Sequence, residues 1–546
     1  MIIVEANNNI HKRWRNKDGV RQEEVSTTYR PYFFIERVAE MPQVIEINTR
    51  FGVNRIRPNY TFGEWESLSG KPLIKVYFET MGDLYKAREN WDTTYEADIS
   101  MARKYTNDEM EDIVEYDLRK WFLDIETQVG GRYNGAINAL CFYDSYDKEY
   151  NVMTWFPREP LPQYDNILVY EDEEEMLKAF VEFVEDKDPD MIIGWYILGF
   201  DIPTIIKRLV KNDINPRRLS PYNEVKGVTH NKVNNVNYNN YSQPIKGRIT
   251  YCLMSRFERL WIDSQKGTLP SLSLDYCSRR LLGEDIGKEK SNAKFDDDEF
   301  FQRSWLEDTE VFLEYNRVDV ELMVKIDELM NITENDLALQ RLMICPFDCV
   351  FHNSQMGAAY FMRHANWKAP TGVKVENRKQ YQGAMIYDPL SENTNGLHLG
   401  VAAFDYAGLY PSMIVARNIS FETKSSEPTE FGVNILTPRD FSEVKETEMV
   451  YYKTDKLGLI PRAILELKSL RSNYKAKMKE ARETNNGEYA KWYNNQMAVK
   501  RLSASFYGIL AFQGFGWADV DLAASITASA REAIRLAAFK AKEMEI

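Results

Sequence analysis

Five histidines and five cysteines are a thin supply of soft metal ligands for 546 residues. The cysteines (141, 252, 277, 345 and 349) are odd in number and scattered, which fits a reducing cytoplasm better than a disulfide framework. Cys345 and Cys349 have no second cysteine pair, so a zinc site is not expected. Metal chemistry in this chain therefore rests on carboxylates, which select Mg²⁺ or Mn²⁺. Long apolar runs are missing as well. Met191 to Phe200 is the longest and ends at Asp201, too short to cross a bilayer, and nothing resembles a signal peptide, so no membrane partner is expected. A net charge of −14 excludes a uniformly basic coat for nucleic acid, although local basic grooves remain compatible with it.

What is present is a folded, multidomain composition. With 44% hydrophobic residues, only 20 prolines and no low-complexity tract or internal repeat, the length predicts three or four domains. Strand-like runs occur at 32–38 and 73–78, with a helical segment near 80–91. Three more strands follow at 120–127, 136–145 and 149–156, then a helix at 173–187 and a strand at 190–196. A helix begins near Asp201, strands are expected across 247–264, and helices across 271–282 and 309–331. The Asn-rich stretch 228–245 is expected to be a long loop or hairpin tip. A second strand-turn-helix is expected from His398. The helical patterns at 462–482 and 488–510 meet at Asn485-Asn486-Gly487 and form a helical hairpin; a final alanine-rich helix spans about 522–544. Gly283 to Lys288 imitates a phosphate-binding loop but lacks its spacing and its Ser/Thr. The expected class is mixed α/β, sheets flanked by helices.

Within Phe122 to Thr127, Leu123 and Ile125 alternate with Asp124 and Glu126, which places both carboxylates on one strand face, about 6–7 Å apart. On its own this pattern is a solvated strand face. Asp201 stands where an apolar strand ends and a helix begins, a position that also suits an N-cap, and Pro203 fits the first turn. Tyr315 and Asp319 share a helical face, four residues apart, on a helix rich in buried-type residues.

Together, Asp124-x-Glu126, Gly-Phe-Asp201-x-Pro and Tyr315-x-x-x-Asp319 resemble the three motifs of the DnaQ-type 3′→5′ exonuclease domain of family B DNA polymerases. Tyr196 departs from that pattern, where Asn is usual. The resemblance implies a ribonuclease H-like domain in which Asp124, Glu126, Asp201 and Asp319 hold two Mg²⁺ ions about 4 Å apart and Tyr315 orients the attacking water.

A second set of motifs carries the same resemblance. Phe404 to Ser412 (Phe-Asp-Tyr-Ala-Gly-Leu-Tyr-Pro-Ser) is similar to the first palm motif of the family. This implies that Asp405 is a polymerase metal ligand and that Tyr410 packs beneath the deoxyribose. Lys468, Arg471, Lys475 and Lys479 form a basic helical stripe. Matched to the family, Arg471, Lys475 and Lys500 grip the incoming triphosphate. Lys500 to Gly508 resembles the second motif, implying that Tyr507 and Gly508 lie against the nascent base pair; Ala504 replaces the usual Asn. Tyr381-Gln-Gly383-Ala384 looks like the linker motif that contacts DNA. The overall pattern, including Gly458 to Pro461 and Phe515 to Asp521, is most similar to T-even bacteriophage polymerases.

The implied division is an N-terminal domain (1–108, with 340–380 packing back on it), the exonuclease (109–339), the first part of a palm sheet (381–459), antiparallel helical-hairpin fingers (460–512), and a palm helix (513–546). The family's second palm acid, in an Asp-Thr-Asp turn, is not among these residues, and Asp519-Val-Asp521 does not replace it. The resemblance therefore implies proofreading hydrolysis of 3′ ends. It also implies either a split polymerase, in which a separate C-terminal polypeptide completes a second two-metal site for nucleotidyl transfer, or a truncated gene product. Expected partners are primer-template DNA, single-stranded 3′ ends and dNTPs, in the cytoplasm, or the host cytoplasm for a virus. The alternatives are a stand-alone exonuclease with a non-functional polymerase part and a non-enzymatic DNA-binding scaffold.

Overall fold

The computed structural model of the chain describes residues 1–38, 40–49, 52–157, 165–229, 232–234, 237–263, 267–283, 294–295, 297–372, 380–385, 405–485, 487–512 and 514–544. The strand expected from His398, the run before Asp405, residues 284–288 and Asn486 lie outside these. Two compact units account for the chain. The first comprises Met1–Tyr29, Asp112–Arg341 and Pro346–Phe351; the second comprises Arg30–Glu111, Leu342–Cys345 and His352–Ile546.

A six-stranded mixed sheet organises the first unit, in the order Ile167–Tyr170, Glu149–Trp155, Ile137–Asp144, Lys120–Thr127, Met191–Gly194, Ile249–Cys252. The Lys120–Thr127 strand is central, antiparallel to Ile137–Asp144 and parallel to Met191–Gly194. Its alternation sorts side chains by face. Trp121, Leu123 and Ile125 are buried, and Trp121 stacks on Phe142 at 4.2 Å, with Phe180 of the Glu173–Lys187 helix packed against Phe142. That helix starts on Asp172, whose carboxylate accepts from the Glu175 amide, and buries Met176, Leu177, Phe180, Val181 and Val184. The opposite sheet face, with Asp124 and Glu126, receives the Thr309–Met330 helix. Gly194 ends its strand so close to the centre that a Cβ there would lie 3.0 Å from the Leu123 carbonyl oxygen.

Two expectations need correction. The stretch 247–264 is strand only over Ile249–Cys252, and Leu253–Asp263 is a helix. Leu253, Phe257, Leu260 and Trp261 recur at helical spacing and are all buried. The expected single N-terminal domain over 1–108 divides after Tyr29. Residues Ile2–Ala6, Asn9–Arg15 and Arg21–Ser26 form their own antiparallel sheet. Arg13, Arg15 and Arg21 from this sheet ion-pair with Asp188 and Asp190, which joins it to the first unit.

The second unit holds a five-stranded sheet in which Trp367–Lys368 pairs with Asn59–Ser67. Its helical part contains Leu409–Ala416, the antiparallel hairpin Leu459–Thr484 and Tyr489–Ala511, and the Val520–Glu543 helix. The hairpin turns at Asn485, a left-handed residue with φ 49°. No helix among the described residues is long and apolar enough to cross a membrane. All five cysteines are free and buried.

A carboxylate cluster as candidate metal centre

Three acids from two distant stretches meet in the first unit. Asp124 and Glu126 share one face of the central strand and are half-buried. The Thr309–Met330 helix buries a stripe through Phe312, Leu313, Asn316, Asp319, Val320 and Met323, so Asp319 faces the sheet. One carboxylate oxygen from each of Asp124, Glu126 and Asp319 lies within 4.8 Å of the others.

Asp201 joins them from a third stretch. It is the first residue of the Asp201–Lys211 helix, one position inside the cap, which is Phe200. The side chain is 3% exposed, and burial pushes its pKa up to about 7. The negative charge of Asp319 pushes the same way, while backbone amides of Asp201 and Ile125 oppose it. One oxygen of the buried Asp201 carboxylate has no hydrogen-bond partner. Asp201 is not among the three acids whose oxygens lie within 4.8 Å, but its partnerless buried oxygen in the field of Asp319 is what a hard divalent cation satisfies, so the residues fit Mg²⁺ or Mn²⁺ chemistry.

Asn316 is a participant that motif reading passed over. It is fully buried, and its Nδ2 donates to Asp124 Oδ2 at 2.7 Å. Its place on the buried stripe was the only signal in the sequence. Tyr315, half-buried beside it, packs against Phe300 at 5.1 Å and edge-on to Phe301 at 5.8 Å. It also lines a groove of about 1000 Å³ between this helix and the Glu149–Trp155 and Ile167–Tyr170 strands. Cys141 stands directly across from Asp124, and burial raises its thiol pKa well above the usual range. Tyr196 is 48% exposed, with its ring over Gly199, where an added Cβ would collide with it.

The remaining candidate residues lie in the second unit. Asp405 is exposed. Tyr410, on the Leu409–Ala416 helix, packs its ring 4.5 Å from that of Tyr507, and the Tyr507 and Tyr381 hydroxyls are 3.1 Å apart. Gly383 and Ala384 are fixed through their carbonyls, which accept from Arg531 at 2.7 Å and Arg439 at 3.0 Å. Arg531 is fully buried and also donates to the Gln382, Ile435 and Thr437 carbonyls. Arg471 donates across the helical hairpin to Gln496 at 3.3 Å, and Lys475, Lys500 and Gly508 are exposed.

Two family descriptions match the chain. Residues 124–260 match the exonuclease domain of DNA polymerase family B, and residues 337–544 match DNA polymerase family B itself. Among curated proteins, the chain is 25% identical to a DNA polymerase of Pyrococcus glycovorans, an alignment covering 100% of this chain and 68% of that protein. It is 25% identical to DNA polymerase 1 of Pyrococcus abyssi, over 98% of this chain and 67% of that protein. It is also 24% identical to the DNA polymerase delta catalytic subunit of Plasmodium falciparum, over 68% of this chain and 34% of that protein. The chain thus spans about two thirds of the archaeal relatives and about a third of the eukaryotic one.

Proposed function

The chain belongs to the family B DNA polymerases and is an enzyme with an exonuclease domain, and from that premise we infer that its four-acid cluster is a proofreading 3′→5′ exonuclease site. The observation that carries this reading is the convergence of Asp124, Glu126 and Asp319 oxygens within 4.8 Å, with buried Asp201 in the field of Asp319 and bonded to the Ile125 backbone. Two Mg²⁺ or Mn²⁺ ions held there would acidify a water and neutralise charge on the departing 3′ oxygen. Asp124, Glu126, Asp201 and Asp319 supply the oxygens, Tyr315 orients the attacking water, and Asn316 holds Asp124 in place. The domain of 109–339 would be ribonuclease H-like.

The second unit contributes the palm and fingers in this reading. Asp405 is a ligand of the polymerase metals, Tyr410 and Tyr507 form the floor beneath the sugar and the nascent pair with Gly508, and Arg471, Lys475 and Lys500 hold the triphosphate. By the same motif likeness, Tyr381, Gly383 and Ala384 contact the template. Retained cations and aromatics at these positions favour a polymerase over a pure nuclease. The kinship proposed within the family is with T-even phage enzymes.

The test is hydrolysis of a 5′-labelled single strand with Mg²⁺. The chain shortens it from the 3′ end, and Asp124→Ala with Glu126→Ala stops this; an unchanged rate in the double variant overturns the nuclease reading.

A further inference from the structure

The tip of the Leu459–Thr484 and Tyr489–Ala511 hairpin carries a cluster of aromatic rings and lysines that neither active site uses. Tyr489 and Tyr493, 41% and 37% exposed, lie one turn apart with ring centroids 6.3 Å apart and planes only 19° from parallel. Between them in sequence, Trp492 packs on Tyr474 of the opposite helix at 5.8 Å. The Lys477 ammonium lies 4.4 Å from the Trp492 ring centroid, and that of Lys491 lies 5.5 Å away. Large exposed rings held parallel beside cations are costly on a surface with nothing to stack on them.

Charge distinguishes this hairpin from the rest of the molecule. Between Leu459 and Ala511 stand ten Lys or Arg and four Glu, in a chain whose net charge is −14. The excess is more than the triphosphate contacts call for. Helical rise of about 1.5 Å per residue puts Tyr489 roughly 16 Å from Lys500 along the same helix, beyond the reach of a side chain gripping a nucleotide there. The two tyrosines thus lie on the turn side of Lys500, and Lys475, two residues from Lys477, is the triphosphate cation nearest to the cluster.

We propose that Tyr489, Tyr493 and Trp492, with Lys477 and Lys491, form a binding platform for single-stranded DNA at the tip of the helical hairpin. The tyrosine faces stack on unpaired bases, which is tolerant of sequence because every base has a π-face, and the lysines track the phosphates. Duplex DNA hides its base faces and gains only the charge term. The platform depends on neither metal site, so it stands or falls apart from the nuclease reading.

The probe is a fluorescent closed circle of single-stranded DNA, which offers no 3′ end to an exonuclease, titrated with the full chain in EDTA. Tyr489→Ala with Tyr493→Ala should weaken binding at least about tenfold, given the usual contribution of two stacked bases. The corresponding Tyr→Phe pair, which keeps the rings, should restore it. Lys477→Ala with Lys491→Ala should lower the steepness of the logarithmic salt dependence by about 1.4, two cations on a single strand. A relaxed duplex circle should lose little affinity on removal of the tyrosine rings. Circles carrying 5-iododeoxyuridine should cross-link on irradiation to the peptide containing Tyr489 and Tyr493. Affinity within twofold of wild type for the Ala pair, an equal loss for the Phe pair, or cross-links confined to other peptides would overturn the proposal, as would equal sensitivity of duplex binding.

Discussion

Replacing Asp201 with asparagine should stabilise the metal-free protein while destroying its nuclease. Asp201 is buried, and its pKa lies near 7 in the fold against 3.8 for the free side chain. An acid raised in this way is neutral in both states below about pH 3, so it costs the fold nothing there. As pH rises the unfolded chain ionises first, and the folded state pays the full penalty once pH passes 7. At about 1.36 kcal/mol per pKa unit, the gap approaches an upper limit of about 4 kcal/mol. An asparagine in this place cannot ionise, its oxygen can still accept from the Ile125 amide, and its NH₂ can donate to Asp319. Urea unfolding in EDTA should show Asp201→Asn more stable than wild type by a few kcal/mol at pH 8 and by almost nothing at pH 3. Added Mg²⁺ should then stabilise wild type far more than the variant, because metal binding removes the same penalty. An equal gain at both pH values, or none at pH 8, would show that Asp201 is not held in a charge-averse site.

Three further outcomes follow from particular contacts. Asn316→Ala removes the donor to Asp124 and should lower Mg²⁺ affinity or hydrolysis roughly 10–100-fold, seen as a raised half-saturating Mg²⁺ concentration with the pH dependence of Asp201 retained. Arg531→Met leaves four carbonyls without their buried donor and should destabilise the second unit by roughly 3–5 kcal/mol in thermal unfolding, with single-strand hydrolysis retained in the folded fraction. Lys500→Ala, at an exposed position on the hairpin, should raise the dNTP concentration needed for incorporation and leave hydrolysis of single strands unchanged; equal loss of both activities would refute its role.

Much of the first unit was legible because local patterns and tertiary needs agree there. Alternation in Phe122–Thr127 marked both the strand and its acidic face, and the helical pattern at 173–187 marked the helix that the structure shows capped by Asp172. The 253–263 helix was missed because apolar residues run straight on from a buried strand, and a short apolar run looks alike in either state. Residues 1–29 were assigned to the wrong neighbour for a different reason. Arg13, Arg15 and Arg21 look like a solvated strand edge until Asp188 and Asp190, far along the chain, are seen to hold them. Asn316 is ordinary by composition, and only its contact with Asp124 gives it a role.

The amino-acid order by itself determined which residues carry charge, which face of each strand and helix they take, and which family the motifs resemble, because side-chain periodicity and residue chemistry are local properties. Only the tertiary structure decided that acids from strand and helix come within 4.8 Å, that Asp201 loses its water and holds its proton to about pH 7, and that Tyr489 and Tyr493 remain exposed at a hairpin tip. Distances, burial and the resulting pKa shifts depend on which distant segments are packed together, and no local pattern encodes that.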